Sequence, residues 1–220
     1  MDWTPLILSI ELATFTAVFL FVFSVPLASW LHGSNSHFVF FVEALVALPL
    51  VLPPSVLGFY LLVAFSPENA FGFFLEKYFS IQLLFTFPGM VLASMIYSLP
   101  FMVQPLLSAM RTLPNSIAEA SYSLGKSKTY TLWCVILPNI KPALFSALIL
   151  TFAHTLGEFG IVLMIGGNIP GETRFISLAI YDEVQAMHYD TANWHAGILL
   201  VFSLLVLVMV YGFNKKRKAF

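Results

Sequence analysis

Residues 114–138 read PNSIAEASYSLGKSKTYTLWCVILP. The stretch begins like a helix. Ser116 and Glu119 have the spacing of a capping box, with Ser at the N-cap and Glu three residues on. Gly125 stands where a helix C-terminal glycine belongs. A second short helix is expected from Ser127 to about Ile136, with Pro138 blocking its continuation. Two short helices around a glycine turn form an elbow, and Ile117, Leu124, Tyr130 and Trp133 give it apolar surface. Such an elbow either docks in a groove on a partner or packs on its own helix ends. Gly125-Lys126-Ser127 imitates the end of a phosphate-binding loop. That loop needs a glycine at position 120, which is Ala120, and a preceding strand, which is absent. The chain therefore carries no nucleotide site of its own by this reading.

On both sides of the elbow the chain is strongly apolar. Of 220 residues, 59% are hydrophobic and 10% charged. Soluble domains carry roughly 25% charged residues, so a soluble enzyme and a disordered chain are both excluded. The expected fold class is an all-α integral membrane protein. Five apolar segments, about 6–31, 38–65, 86–110, 143–165 and 196–213, are each long enough to cross the hydrocarbon as a helix. Alternating ten-residue strands of an outer-membrane barrel do not occur. The N-terminus has no basic region and no small-residue cleavage site, so 6–31 reads as a retained span rather than a signal peptide. No repeat or linker divides the chain, and 6–213 reads as one membrane domain followed by a basic tail, 214–220.

With five spans, Arg111, Lys126, Lys128, Lys141, Lys215, Lys216, Arg217 and Lys218 fall on one side, and Lys77 and Arg174 on the other. The positive-inside rule then puts the 111–142 loop and the C-terminus in the cytoplasm and the N-terminus outside. The 32–37 loop should also be inside, and the 66–85 and 166–195 loops outside. In the latter, Phe175, Leu178, Ala179 and Val184 suggest one apolar helix face, either of an interfacial or re-entrant helix or of an ordinary amphipathic loop helix. A net charge of −1 argues against a nucleic-acid partner. The lone cysteine, Cys134, excludes an internal disulfide and a cysteine metal cluster.

Several span residues invite functional readings. Pro49, Pro53 and Pro54, followed by Gly58, should break span two, because each proline removes an N–H. Broken helices in transporters mark pathways or hinges; the bland alternative is a packing kink. Pro100 and Pro105 give span three a similar character. In span four, Glu158 lies between Gly157 and Gly160, and an intramembrane carboxylate is a functional candidate. The glycines would allow close helix approach. Glu158 is either a gating group, bonding across a dimer, or a carboxyl paired within one subunit. His154 and Glu158, four apart, would share a helix face, but no H-E-x-x-H motif is present to support a metal role. Arg174 follows a turn-rich segment and either attracts an oxyanion or contacts a protein that delivers it, or pairs with Glu172 or Asp182.

The elbow also carries a family pattern. Glu119-Ala120-Ser121, three residues, Gly125, nine residues, then Val135-Ile136-Leu137-Pro138 resembles the EAA loop of binding-protein-dependent ABC importer permeases, with Ser121 and Val135 as small departures. Leu48 to Pro54, Thr155 to Gly160, and Gly166-Gly167-Asn168-Ile169-Pro170-Gly171-Glu172-Thr173-Arg174 look like the molybdate permease pattern; sulfate and tungstate permeases share related spans. The resemblance implies a type I importer transmembrane domain acting as a homodimer. It implies docking of the elbow on two ATP-binding subunits, which hold the ATP and Mg, and an external molybdate-binding protein that delivers cargo. It implies no cofactor on this chain and a cell-membrane location. A tetrahedral dianion needs a donor-lined or hydrated route through the bilayer, and Glu158 would repel it, so that residue is assigned to structure or gating. The rivals are a tungstate or sulfate permease, an ATP-independent channel, and an intramembrane enzyme built on His154 and Glu158.

Overall fold

A computed structural model describes residues 2–34 and 36–215, and every regular element among them is helical. Five long apolar stretches dominate. Helix α1 (Thr4–Gly33) starts with proline in its first turn and runs unbroken through Pro26. Helix α2 (Phe38–Ala47) continues into a 3-10 turn (Leu48–Leu50) and then breaks; α3 (Pro54–Phe65) leaves at 111° to it. The cause is local. The ring of Pro54 disfavours helical backbone at Pro53, which is extended (ψ 138°), and Pro54 then occupies the first helical position. A short helix, α4 (Ala70–Phe79), precedes α5 (Phe87–Thr112), whose Thr86 hydroxyl accepts from the Gly89 N–H.

The elbow comprises α6 (Asn115–Ser123), α7 (Lys128–Thr131), a π-helical turn (Leu132–Ile136) and α8 (Leu137–Asn139). The chain then turns by 82° into α9 (Lys141–Leu156). After α9 come α10 (Gly160–Gly166), α11 (Ile176–Gln185) and α12 (Tyr189–Lys215). Three helices are long and apolar enough to cross a membrane alone, and five crossings result if each bent pair is one span.

Two buried clusters order these crossings. One contains Leu31, Val39, Met110, Leu132, Leu137 and Ala147 and lies at the elbow end. The other contains Leu12, Phe65, Leu83, Met90, Ile165 and Phe175 and lies at the opposite end. Helix α1 runs from the second cluster to the first, α2–α3 returns, α5 descends again, and α9–α10 returns once more. The described basic residues separate the same way. Arg111, Lys126, Lys128 and Lys141 belong to the elbow end, and Lys77 and Arg174 to the other.

Four expectations need correction. The fourth segment, 143–165, is interrupted at residues 157–159. The fifth starts earlier than 196, at Tyr189, which shortens the preceding loop. Pro100 and Pro105 sit inside α5 without breaking it, unlike the prolines of span two. Phe175, Leu178 and Ala179 are buried, but Val184 is exposed, so α11 packs as an ordinary amphipathic helix with a narrower apolar face than expected. The basic tail assigned to 214–220 lies outside the described residues from 216 onward.

Candidate functional site

The two broken spans touch at their breaks. A Cβ added to Gly160, the first residue of α10, would stand 2.8 Å from the Pro54 Cβ at the start of α3. One turn further along, a Cβ on Gly58 would meet the Met164 side chain at 3.2 Å and the Ile161 backbone at 3.4 Å. Glycine at these positions lets the backbones approach. Gly157 does not share this role: it caps α9, and the nearest atom to an added Cβ is the Ala153 carbonyl oxygen at 3.9 Å. Pro49 is buried in the 3-10 turn that leads into the break.

Between α9 and α10 the backbone is irregular, and Glu158 occupies that gap. Its side chain is buried at 5% exposure. Ser94 of α5 donates to its Oε2 at 2.9 Å, and Ser177 of α11 donates to its backbone carbonyl at 2.6 Å. Oε1 has no partner among the described residues. Of the readings above, pairing within one subunit is therefore seen for one carboxyl oxygen. Glu158 ties three elements together at the point where the span is discontinuous. One turn along α5, Ser98 contacts His154 Nδ1 at 2.9 Å and the Thr155 hydroxyl at 3.0 Å. The His154 ring stacks on Phe101, with centroids 3.9 Å apart, and lies beside Tyr97. His154 and Glu158 do not share a helix face, because α9 ends at Leu156 and Glu158 falls beyond its cap. Among the described residues no three His, Cys, Asp or Glu converge as a metal-ligand group.

At the end opposite the elbow, the segment after α10 folds into a hydrogen-bonded turn. Gly167, Asn168 and Gly171 adopt positive φ of 66°, 56° and 81°. Pro170 lies in the turn between them. Thr173 is fully buried; its hydroxyl donates to the Gly166 carbonyl and accepts from the Ile169 N–H. Asn168 Nδ2 reaches both oxygens of Asp182, and Arg174 Nη2 pairs with Asp182 Oδ2 at 3.1 Å. Glu172 is exposed and takes no part in that pair. Arg174 Nε is buried and has no hydrogen-bond partner among the described residues.

The elbow differs in detail from its expected form. Helix α6 begins at Asn115 with Pro114 at the N-cap and no side-chain cap, so the Ser116–Glu119 capping box does not form. The Pro114 carbonyl already accepts from Ile117, which places Ser116 inside the helix. Gly125 takes the expected left-handed conformation, φ 73°, and Lys126 N–H closes the turn onto the Ser121 carbonyl. Ser127 caps the second helix through the Tyr130 N–H. Pro138 does not stop that helix: the wider π turn just before it and a place in the first turn of α8 accommodate the ring, and the run ends at the Ile140 corner. Ser121 and Thr131 hydroxyls meet at 2.8 Å and lock the two elbow helices together, with both side chains buried. Glu119, Ala120, Leu124, Tyr130 and Trp133 are exposed, Ile117, Val135 and Pro138 half-buried, and Leu137 buried. Leu124, at 78% exposure, is the most prominent apolar side chain of the elbow.

Sequence reasoning missed Ser94, Ser98 and Ser177, and the bidentate Arg111–Glu43 pair (2.8 and 2.9 Å) that ties α5 to α2. Two serines four residues apart in an apolar span were the available signal.

Comparison with known proteins agrees with this geometry. The family "Binding-protein-dependent transport system inner membrane component" matches residues 22–217. The chain is 46% identical over 218 residues to the molybdenum transport system permease protein ModB of Azotobacter vinelandii, covering 99% of this chain and 96% of that one. It is 34% identical over 174 residues to a probable sulfate transport system permease protein, cysT, of Chlorella vulgaris, covering 79% of this chain and 65% of that one. Its fold resembles a chain in the crystal structure of a bacterial ABC transporter involved in alginate import. The TM-score is 0.79 at 17% identity, over 97% of this chain and 78% of that one. The chain belongs to the family of binding-protein-dependent transport system inner membrane components.

Proposed function

We propose that this chain is the permease subunit of an ATP-driven molybdate importer. The observation that carries the reading is the near full-length 46% identity to the Azotobacter vinelandii molybdenum permease. The sulfate permease match is lower in identity and partial in extent, so sulfate is the second reading and tungstate a third. The chain is a transport component, not an enzyme, as its family is. In this proposal two copies form the pathway, and two separate subunits bind ATP and Mg. An external molybdate-binding protein delivers the ion, and this chain needs no cofactor. The elbow end faces the cytoplasm and the N-terminus lies outside, in accord with the basic residues at the elbow end.

The geometry supports the following residue roles in this proposal. Exposed Glu119, Ala120 and Leu124 and the turn at Gly125 form the coupling surface for the ATPase, while Ser121, Val135, Leu137 and Pro138 hold the elbow in shape. Pro49, Pro53, Pro54, Gly58, Gly160 and Glu158 form the crossing of the two broken spans and act as the gate, with Gly157 ending α9 beside it. Asn168, Pro170, Gly171, Glu172, Thr173 and Arg174 form the outer mouth. A buried carboxyl that accepts from one serine hydroxyl is poorly suited to bind a dianion and well suited to hold a gate closed until the spans move.

The test is elemental analysis of cells with and without this gene, grown in trace molybdate with sulfate and tungstate as competitors. Loss of cellular molybdenum that excess molybdate restores is the expected result. Unchanged molybdenum with impaired sulfate or tungstate uptake would transfer the assignment to the corresponding rival.

A further inference from the structure

Helix α4 falls in a loop that the sequence reading left without structure, and it is ten residues long, far too short to cross a bilayer. It follows directly on α3, whose last carbonyls it covers. A Cβ on Gly72 would lie 2.2 Å from the Ser66 carbonyl oxygen and 2.6 Å from that of Phe65. Only glycine permits this approach, so the orientation of α4 on the end of span two is set. Gly72 is buried and Leu75 half-buried; the other α4 side chains are exposed.

At 3.6 residues per turn three of the exposed side chains form one stripe, while exposed Phe73 falls between Glu76 and Lys77 on the other side. Phe71, Phe74 and Tyr78, at i, i+3 and i+7, form an aromatic stripe with exposures of 48%, 49% and 67%. The Phe74 and Tyr78 rings are 5.1 Å apart, and Phe79 extends the cluster at 5.8 Å from Phe74. On another side stand Glu76 and Lys77, with Lys77 Nζ 5.2 Å from the Phe73 ring centre. Helix α4 thus has a protein-facing side, a side of three exposed aromatic residues, and a side where Phe73 lies between Glu76 and Lys77. It is anchored where one membrane crossing ends, and α5 re-enters the apolar bundle a few residues later.

The geometry points to α4 as an interfacial helix that seats Phe71, Phe74 and Tyr78 among lipid acyl chains and glycerol groups, with Glu76 and Lys77 turned to water. The partner is the bilayer at the end of the protein opposite the elbow. Three observations favour lipid over a protein partner. The helix sits at the depth where a spanning segment terminates; aromatic side chains prefer that boundary; and the charged stripe carries one acid and one base, which offers no net charge to a charged protein surface. The inference rests on the chain spanning a membrane and is independent of which anion it carries.

The test is spin-label accessibility in the full complex, reconstituted in phosphatidylcholine–phosphatidylglycerol bilayers. Cys134, the one native cysteine, is replaced by serine, and cysteine is introduced in turn as F71C, F74C, Y78C, E76C and K77C. Labels at 71, 74 and 78 should be reached more by oxygen than by a water-soluble nickel chelate, with the ratio inverted at 76 and 77. Nickel exceeding oxygen at all five positions would overturn the inference, since the helix would then stand in water. Low accessibility to both reagents at 71, 74 and 78 would also overturn it. Spin–spin broadening at those positions would then identify a second copy as the cover, and its absence a different protein.

Discussion

Gly160 and Pro54 meet where the two interrupted spans cross, at a separation that leaves no room for a side chain on Gly160. The contact joins two discontinuities in one place, so movement of either span is felt by the other.

Gly160→Ala should therefore destabilise the assembled complex by about 1–3 kcal/mol, the usual cost of overpacking. Gly157→Ala should be close to neutral, since an added Cβ there makes only an ordinary contact with the Ala153 carbonyl oxygen at 3.9 Å. Thermal stability in detergent, followed by size-exclusion chromatography, compares the two. Equal effects would mean that the contact with Pro54 does not set the packing.

Glu158 and Ser94 should behave as a coupled pair. Ser94→Ala and Glu158→Ala, singly and together, form a double-mutant cycle read by thermal unfolding. A coupling of about 0.6–1.7 kcal/mol is the range for hydrogen bonds between membrane helices. Strict additivity would show that the 2.9 Å contact contributes nothing. The gating proposal adds that Glu158→Gln changes basal ATP hydrolysis by the complex, whereas a purely structural carboxyl would leave it unaltered once stability is matched.

Arg174→Ala should lower uptake while the complex still assembles. Arg174 is paired with Asp182, so Asp182→Asn is the informative companion. If Arg174 serves the anion, Asp182→Asn frees its charge and spares uptake. If Arg174 only fastens the turn to α11, both variants fail alike.

Leu124→Asp should abolish co-purification of the ATPase without unfolding the chain, because Leu124 projects from the elbow and packs against nothing internal. Gly125→Ala forces an alanine into φ 73° and should cost about 1–2 kcal/mol locally. Retained co-purification in Leu124→Asp would remove that residue from the docking surface.

The all-helical membrane class was legible from composition and apolar run length. So was the break in span two, since three prolines in six positions leave few alternatives. The break in span four was not. Gly157-Glu158-Phe159-Gly160 contains no proline, and its glycines read equally well as packing residues. What ends α9 there is tertiary: Ser94 and Ser177, distant in sequence, capture the side chain and the carbonyl of Glu158. The capping box failed for a local reason. Pro114, with φ −59°, takes the N-cap two residues before the serine that was meant to cap the helix. Helix α4 was hidden because Phe73 falls between Glu76 and Lys77, so an aromatic residue stands on its charged side as well as along its aromatic stripe.

The 82° corner at Ile140 makes the second elbow helix and α9 the two arms of a bell crank. At 1.5 Å per residue the arm from Lys128 to Asn139 is about 18 Å long and α9 about 24 Å. A sideways push of about 3 Å on the free end of the first arm turns the crank by about 10° and carries the far end of α9 through about 4 Å. Leu156 is at that far end, two residues before Glu158, and a stroke of that size exceeds the 2.9 Å contact with Ser94. Under the coupling role proposed for the elbow, small motions there would arrive amplified at the place where the fourth span is already cut.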